Sequence, residues 1–187
     1  MGHAAKEFMA LNLAVLTVSD TRDFTTDTSG QCLQDALEQA GHTLQARDLV
    51  KDDIYQIRAV VSQWIVDPSI HAILVTGGTG FSSRDNTPEA LIPLFDKAVE
   101  GYGELFRQIS VQDIGTSTIQ SRAFAGTANH TVIFAMPGST NACKTAWHGI
   151  IQEQLDARHK PCNFVGHLLQ KGGDETASRL AKCESRQ

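Results

Sequence analysis

The chain has 187 residues, of which 41% are hydrophobic and 20% are charged, and its formal net charge at pH 7 is −5. These values are ordinary for a globular domain, and the length favours one α/β domain with a substantial core. The lack of a basic block argues against nucleic acid as the main partner. No apolar run is long enough to span a bilayer, and the N-terminus lacks a signal-peptide pattern, so we expect a cytoplasmic protein that does not bind membranes.

The cysteines and histidines form no recognisable metal-ligand pattern. Cys32, Cys143, Cys162 and Cys183 are far apart and include no C-x-x-C pair, and the seven histidines lack a spacing such as H-x-x-x-H. The cysteines are therefore predicted to be reduced thiols. An anionic ligand would have to be held by backbone amides, by a few Arg or Lys side chains, or through a bridging metal.

The first quarter of the chain predicts a strand, a helix and a second strand. Asn12–Val18 is a short apolar run typical of a buried strand. Ser29 is a candidate N-cap for a helix that ends near Ala40, and Gly41 is the expected C-terminal glycine. Thr43–Val50 then predicts the second strand.

The next segment continues the alternation. Asp52 or Asp53 begins a helix whose apolar residues recur at helical spacing and include Trp64, which we expect in the core. Residues 70–75 predict a third buried strand. The resulting order β-α-β-α-β predicts a doubly wound, parallel sheet with right-handed crossovers.

The second half is less regular. Thr87 with the following Pro-Glu predicts the start of a helix near 88–94, and residues 104–109 look helical. Residues 119–125 are ambiguous between helix and strand. Thr131–Met136 predicts another buried strand, and Ser139 is a candidate N-cap for a long helix with Trp147 on its buried face.

The most informative stretch follows the third strand, where Thr76-Gly77-Gly78-Thr79-Gly80 comes directly after the apolar run. Glycines allow positive φ angles and leave amide N–H groups uncovered, so such a loop can bind an anion without a lysine. It matches neither the P-loop pattern nor the G-x-G-x-x-G fingerprint. A plain tight turn is the alternative interpretation. Pro137-Gly138-Ser139, after the later strand, is a second candidate phosphate site at a helix N-terminus.

Four motifs together resemble the molybdenum cofactor biosynthesis MoaB/MogA family. They are TGGTG at 76–80, RDNTPEA at 84–90, FRQIS at 106–110 and MPGST at 136–140. The stretches EGYGELFRQIS, IGTSTIQSRAFAG and DARHKPCNFVGHL are most similar to the bacterial MoaB branch. The resemblance covers about residues 10–168. It indicates one domain over 10–169, preceded by a tail over 1–9, and residues 170–187, which are polar and include two glycines, are expected to form a flexible C-terminal tail.

The resemblance implies a three-layer αβα fold with a mostly parallel central sheet, and a homotrimer or homohexamer. The implied ligand is molybdopterin, a pterin dithiolene with a terminal phosphate. Active relatives use Mg²⁺ and ATP to adenylylate that phosphate before molybdate insertion, so other proteins of the molybdenum cofactor pathway are implied partners.

The family's site carries over onto residues of this sequence. It implies Asp52 and Asp85 as the catalytic, magnesium-binding pair. The implied substrate-binding residues are Ser19 and Asp20 after the first strand, Gly77, Gly78, Thr79 and Gly80 in the glycine loop, Ser110 in FRQIS, and Pro137, Gly138 and Ser139 in the second turn.

Several alternatives remain open at the level of sequence. Asp52 can equally be a helix N-cap, and Asp53 beside it leaves the match ambiguous by one residue. Asp85 can form an Asx turn, and Arg84 can contact a phosphate or solvent. Presence of both aspartates favours molybdopterin adenylyltransferase activity, whereas likeness to MoaB favours a catalytically silent protein that binds molybdopterin. An unrelated nucleotide hydrolase or deamidase of the same fold is a distant third hypothesis.

Overall fold

One six-stranded sheet forms the centre of the structure, a computed structural model that describes residues 5 and 7–171. Its strands are β1 (Asn12–Val18), β2 (Thr43–Val50), β3 (Ala72–Thr76), β4 (Lys97–Ala98), β5 (Phe124–Ala128) and β6 (Thr131–Met136). The spatial order is β2-β1-β3-β6-β5-β4. The first four of these are mutually parallel, whereas β5 is antiparallel to both β6 and β4. The predicted doubly wound, mostly parallel sheet is confirmed.

Helices cover both faces of this sheet. They are α1 (Thr28–Gln39), α2 (Ile54–Val66), α3 (Thr87–Leu91), α4 (Glu100–Ile114), α5 (Thr140–Ala146), α6 (Gln152–Gln154) and α7 (Val165–Leu168). Two 3-10 segments occupy Ile92–Leu94 and Gly115–Gln120, and a π-helical turn over Trp147–Ile151 joins α5 to α6. In the described part of the chain, no helix is both long and apolar enough to cross a membrane.

The alternation of side chains along β1 shows how the layers form. Leu13 and Val15 face one core with residues of α1, α4, α5 and α7, whereas Ala14 and Leu16 face a second core with residues of α2 and α3. All of these strand residues are fully buried. Because both faces are covered, the inner strands β1, β3 and β6 are mostly apolar, as expected for a parallel sheet, whereas the edge strand β2 is only partly buried and carries polar and charged residues. The three-layer αβα architecture is thus confirmed.

Several predicted element boundaries were wrong. Asp27, not Ser29, caps α1 by accepting a hydrogen bond from the amide of Gly30 at 2.8 Å. Helix α4 begins at Glu100 rather than at residue 104 and contains Gly103. A Cβ at Gly103 would overlap the carbonyl oxygen of Ala123, so glycine lets α4 lie against the start of β5.

Other predictions hold with less change. Trp147 is fully buried and Trp64 nearly so, which confirms both as core residues. The ambiguous segment 119–125 divides between the end of the second 3-10 segment and the start of β5. The long helix predicted after Ser139 is continuous in space but changes from α to π and back to α.

The described parts of both predicted tails contact the domain. The amide of Ala5 donates to the carbonyl oxygen of Ala157, and the ring of Phe8 lies 5.1 Å from that of His42. At the other end, the Nζ atom of Lys171 donates to Trp64 O, Ile70 O and Thr131 Oγ1. The fold therefore extends through Lys171. The rest of the predicted C-terminal tail, 172–187, lies outside the described residues.

Replacing Lys171 by Met is expected to lower the free energy of unfolding by about 2 kcal/mol, because three buried acceptors lose their donor. Burial lowers the pKa of Lys171 from 10.5 to about 8, with Asp67 opposing the effect. Between these values the native chain binds fewer protons than the unfolded chain, so the stability contributed by this group rises with pH. The excess stability of the wild type over Lys171→Met should therefore grow above pH 8. Urea unfolding of both proteins below and above pH 8 measures it, and a pH-independent difference would contradict the prediction.

Candidate functional site

A cavity of about 450 Å³ opens at the carboxyl ends of β1, β3 and β6. After β1 the chain crosses to β2 at one edge of the sheet, whereas after β3 it crosses to β4 at the opposite edge. The cavity thus lies at the point where the crossovers change direction, the usual ligand site of open α/β sheets. Its walls are the residues after each of these strands, the N-terminal end of α1, and the chain between α4 and β5.

The glycine loop forms one wall of the cavity. Gly77 and Gly78 have φ angles of +103° and +63°, which confirms the predicted need for positive φ. The carbonyl oxygens of both residues accept hydrogen bonds from Thr87, at 2.8 Å from its hydroxyl and 3.0 Å from its amide. Among the described residues, no acceptor is bonded to the amides of Gly78 and Thr79. The loop therefore directs its carbonyls toward α3 and keeps these two amides available for an anion.

Asp53, not Asp52, caps helix α2. The Asp53 carboxylate accepts from the amides of Tyr55 and Gln56, at 3.0 and 2.9 Å. Asp52 therefore does not cap the helix, which was the alternative interpretation of this residue from the sequence. The structure thus separates the two neighbours: Asp53 caps the helix, and Asp52 faces the glycine loop.

Asp52 is buried and lies directly against the glycine loop. Its Oδ1 accepts from the amide of Asn86 at 2.9 Å, and its Oδ2 would lie only 2.5 Å from a Cβ on Gly78. Burial raises the pKa of Asp52, and repulsion by Asp85 and Asp20 raises it further, against the hydrogen bonds from Asn86. A carboxylate in this position gains from a cation, because a cation offsets both burial and repulsion.

Asp85 lines the cavity from the segment that follows the glycine loop. Its Oδ2 accepts from the amide of Ser82 at 2.8 Å, and a Cβ on Gly80 would lie at the same distance from this oxygen. Burial works to raise the pKa of Asp85, but hydrogen bonds from Ser82 and Gly80 and the charge of Arg122 outweigh it and lower the pKa. Asp85 is therefore held as a carboxylate.

The two aspartates should affect stability in opposite directions at neutral pH. Asp52 has a raised pKa, so its ionisation destabilises the fold, whereas Asp85 has a lowered pKa and its ionisation stabilises the fold. We expect Asp52→Asn to raise the unfolding temperature of the ligand-free protein and Asp85→Asn to lower it. Both differences in unfolding temperature from the wild type should become smaller as the pH falls, because the wild-type carboxyls then become protonated. Calorimetry of the two variants tests this, and shifts of the same sign at neutral pH would contradict it.

Ser19 and Asp20 lie after β1, as predicted, but only Ser19 lines the cavity. The Ser19 hydroxyl accepts from the amides of Thr21 and Arg22, which closes the turn. The Asp20 carboxylate accepts two hydrogen bonds from Arg84, at 2.9 and 2.6 Å, and a third from the amide of Asp52 at 3.2 Å. Arg84, for which a phosphate contact was one option, is thus paired with Asp20.

The second glycine turn contributes Pro137 and Gly138 to the cavity. Thr76 Oγ1 donates to the carbonyl oxygen of Pro137 at 3.1 Å, and Ser29 Oγ donates to that of Gly138 at 2.9 Å. Ser139 is exposed, caps α5 through a hydrogen bond from the Ala142 amide, and does not line the cavity. The two glycine turns therefore lie side by side, and two hydroxyl groups hold the second one in place.

Ser110 does not line the cavity either. It is buried inside α4, and its hydroxyl donates to the carbonyl oxygen of Phe106 at 2.8 Å. This is a common arrangement for serine in a helix. The hydrogen bond to Phe106 therefore accounts for the Ser110 hydroxyl without a ligand.

Sequence reasoning missed a set of cavity residues on other elements. They are Thr17, Val18, Arg22, Asp27, Thr28, Ser29, Thr76, Ile114, Ser117, Gln120 and Ser121. Those between α4 and β5 belong to a polar stretch without helical or strand periodicity. Its Ser and Gln content was the only sequence feature that indicated a ligand-binding role. Their position depends on where the 3-10 segment packs, which local patterning does not show.

The geometry agrees with comparisons to known proteins. Residues 14–157 match a family described as a probable molybdopterin binding domain. The molybdenum cofactor biosynthesis protein B of Escherichia coli K12 is 54% identical over 168 residues, which cover 90% of this chain and 99% of that protein. The chain belongs to the MoaB/MogA family. The protein B of Bacillus subtilis is 44% identical over 142 residues, or 75% of this chain and 84% of that protein.

Solved structures of MoaB proteins share the fold. A crystal structure of molybdenum cofactor biosynthesis protein B superimposes with a TM-score of 0.78 at 36% identity, and covers 93% of this chain and 98% of its own. The tungsten cofactor synthesizing protein MoaB of Pyrococcus furiosus gives 0.70 at 32% identity, over 77% of this chain and 92% of its own. The α/β architecture of this MoaB-family chain is therefore that of its relatives.

Proposed function

We propose that the protein acts in molybdenum cofactor biosynthesis by transferring AMP from ATP to the terminal phosphate of molybdopterin, with Mg²⁺. The observation that carries the proposal is the position of Asp52. It is buried against the glycine loop, free of the helix-capping role that Asp53 performs, and close enough to Asp85 for their charges to repel. Beside this pair of carboxylates lie two backbone amides that lack acceptors among the described residues, an arrangement suited to binding an anion together with a cation.

The reaction brings two anions together. An oxygen of the molybdopterin phosphate attacks the α-phosphorus of ATP, a new P–O–P bond forms, and pyrophosphate leaves with the electrons of the broken bond. In phosphoryl transfer of this kind, catalysis comes mostly from positioning and from stabilising negative charge. The amides of Gly78 and Thr79 are suited to hold phosphate oxygens where that charge develops.

The residues present fit a magnesium ion held jointly by protein and substrate. Mg²⁺ prefers one or two carboxylates together with phosphate oxygens and water. Within the described residues, no cluster of three or more acidic, His or Cys side chains is placed to hold a metal. Asp52 and Asp85 would be the two protein ligands, with phosphate oxygens and water as the others, and the bound ion would neutralise phosphate charge. Burial and repulsion raise the pKa of Asp52, so a cation beside it would also stabilise its ionised carboxylate.

A homotrimer or homohexamer is part of the same proposal. Leu105, Val111 and Ile114 on α4 and Ile119 in the following segment are large apolar residues that are exposed in the single chain. Exposure of several large apolar side chains on neighbouring elements supports a protein–protein contact on this side of the domain. Sedimentation equilibrium would give the assembly state, and a monomer at micromolar concentration would contradict this part of the proposal.

The test of the proposed function is an adenylylation assay. Purified protein, molybdopterin, ATP and Mg²⁺ are incubated, and adenylylated molybdopterin and pyrophosphate are quantified. We expect both products in equal amounts, dependent on Mg²⁺ and abolished by EDTA. Tight molybdopterin binding without any product would instead support a catalytically silent, molybdopterin-binding protein.

A further inference from the structure

Arg122 lies behind the glycine loop, between the 3-10 segment and β5, and outside the cavity. Its Nε atom donates to the carbonyl oxygen of Gly80 at 2.8 Å, and its Nη2 atom donates to that of Asp85 at 2.7 Å. Its Nη1 atom is paired with the carboxylate of Glu89 on α3. Its own backbone amide donates to the carbonyl oxygen of Thr79 at 3.3 Å. A single residue thus contacts the glycine loop, the Asp85 backbone and the helix beyond.

These contacts fix both ends of the segment that carries Asp85. Residues 80 and 85 are bonded to one planar guanidinium, which sets the distance between them. Inside the segment, the Asp85 amide donates to the carbonyl oxygen of Ser82 at 3.1 Å, and the Ser82 amide donates back to the Asp85 carboxylate. The centre of the Phe81 ring lies 5.3 Å from the guanidinium carbon of Arg122, within range of a cation–π contact.

We propose that Arg122 is a positioning residue for the site: it holds the Asp85 carboxylate and the glycine loop in the arrangement that AMP transfer requires. This inference rests on the proposed function for its catalytic consequence. The positioning itself is a property of the free protein. Arg122 is not among the residues that line the cavity, and each of its guanidinium nitrogens has a protein acceptor. It therefore acts through the loop rather than on the substrate.

Lysine would not replace this arginine. The planar guanidinium presents donors in a fixed fork, which matches three acceptors at different points of the loop and of α3. A lysine ammonium has one nitrogen at the end of a flexible stem and cannot span both carbonyl oxygens and the Glu89 carboxylate in the same way. The charge of Arg122 also helps the Ser82 hydrogen bonds to lower the pKa of Asp85 against the effect of burial.

Helix α2 supplies a matched control. Arg58 also binds two backbone carbonyls with its guanidinium, those of Ala90 at 3.0 Å and Glu89 at 2.8 Å. These carbonyls belong to α3 and not to the segment between Gly80 and Asp85. Arg58→Lys therefore makes the same chemical change beside the same helix while leaving the loop contacts intact.

The experiment compares wild type, Arg122→Lys and Arg58→Lys by hydrogen–deuterium exchange mass spectrometry and by the adenylylation assay. In Arg122→Lys we expect exchange over residues 77–86 to be about 10-fold faster, with the rest of the chain unchanged. We expect kcat to fall roughly 10- to 100-fold while KM stays within about threefold. Arg58→Lys should match the wild type in both measurements.

The outcomes separate this inference from the proposed function. Loop exchange in a folded Arg122→Lys that equals that of Arg58→Lys would overturn the positioning role. Faster exchange with an unchanged kcat would show that the contacts are only structural and would also overturn it. A wild type that makes no product would end the proposed function, and the exchange comparison would still decide whether Arg122 positions the loop.

Discussion

Replacing Asp52 by Asn is expected to lower the kcat of AMP transfer about 100-fold or more, since removal of one preorganised electrostatic group at such a site typically costs this much. The substitution keeps the shape of the side chain and an Oδ1 acceptor for Asn86, so the fold should survive. It removes the negative charge that we propose for holding Mg²⁺ against phosphate. Initial rates of pyrophosphate release, with molybdopterin and Mg²⁺ saturating, measure the effect.

The neighbouring residue provides the control. Asp53→Asn keeps a good N-cap, because Asn and Asp cap helices about equally well. We expect its kcat within about twofold of wild type and its stability within about 0.5 kcal/mol. Asp85→Asn should resemble Asp52→Asn in activity while retaining molybdopterin binding. A fully active Asp52→Asn, or a folded and inactive Asp53→Asn, would reverse the assignment of the two neighbours.

Gly77→Ala is expected to give the largest loss of stability, about 3 kcal/mol or more. The φ of +103° is unfavourable for alanine, and the added Cβ would overlap the carbonyl oxygen of Val18 on β1. That oxygen belongs to the backbone at the end of a buried strand, so it cannot move aside without disturbing the cavity wall. Urea unfolding gives the change in free energy, and molybdopterin binding by the remaining folded protein should also weaken.

Gly101→Ala is the matched comparison for this substitution. Gly101 lies in the first turn of α4, and a Cβ there would meet no atom within 4 Å. Alanine is the better helix former, so this variant should be unchanged or more stable by up to roughly 1 kcal/mol. Equal losses from the two substitutions would mean that the Gly77 requirement comes from something other than its φ angle and the contact with β1.

The centre of the fold was predictable because the three inner parallel strands, β1, β3 and β6, are buried on both faces. Their sequences are short, continuous apolar runs that end at turn residues, and this local signal needs no knowledge of the partners. The antiparallel edge was not predictable in the same way. Phe124–Ala128 contains Gly126 and small residues, since a Cβ at that glycine would overlap the ring of Phe95. Its composition reflects a tertiary contact rather than a strand propensity.

The candidate site was likewise predictable where it follows from the strands and not where it depends on tertiary packing. Both glycine turns follow strands directly, and Asp85 lies in the loop between β3 and α3, so their position follows from the order of the strands in the sheet. Which of Asp52 and Asp53 faces the glycine loop depends on the backbone angles at the start of α2, and adjacent aspartates give no sequence signal for that. The residues between Ile114 and Ser121 enter the cavity only because α4 packs against the sheet. Arg122 had no local signal at all, since all of its acceptors except that of Glu89 are backbone oxygens.

Strand β4 has only two residues, Lys97 and Ala98, and it ends the sheet on its antiparallel side. An exposed edge of a sheet is a template onto which another extended chain can add, and a long, flat edge invites aggregation. Two residues, one of them a lysine, offer very little unpaired backbone for such growth. The sheet is therefore protected against edge-to-edge association on this side by the shortness of its last strand.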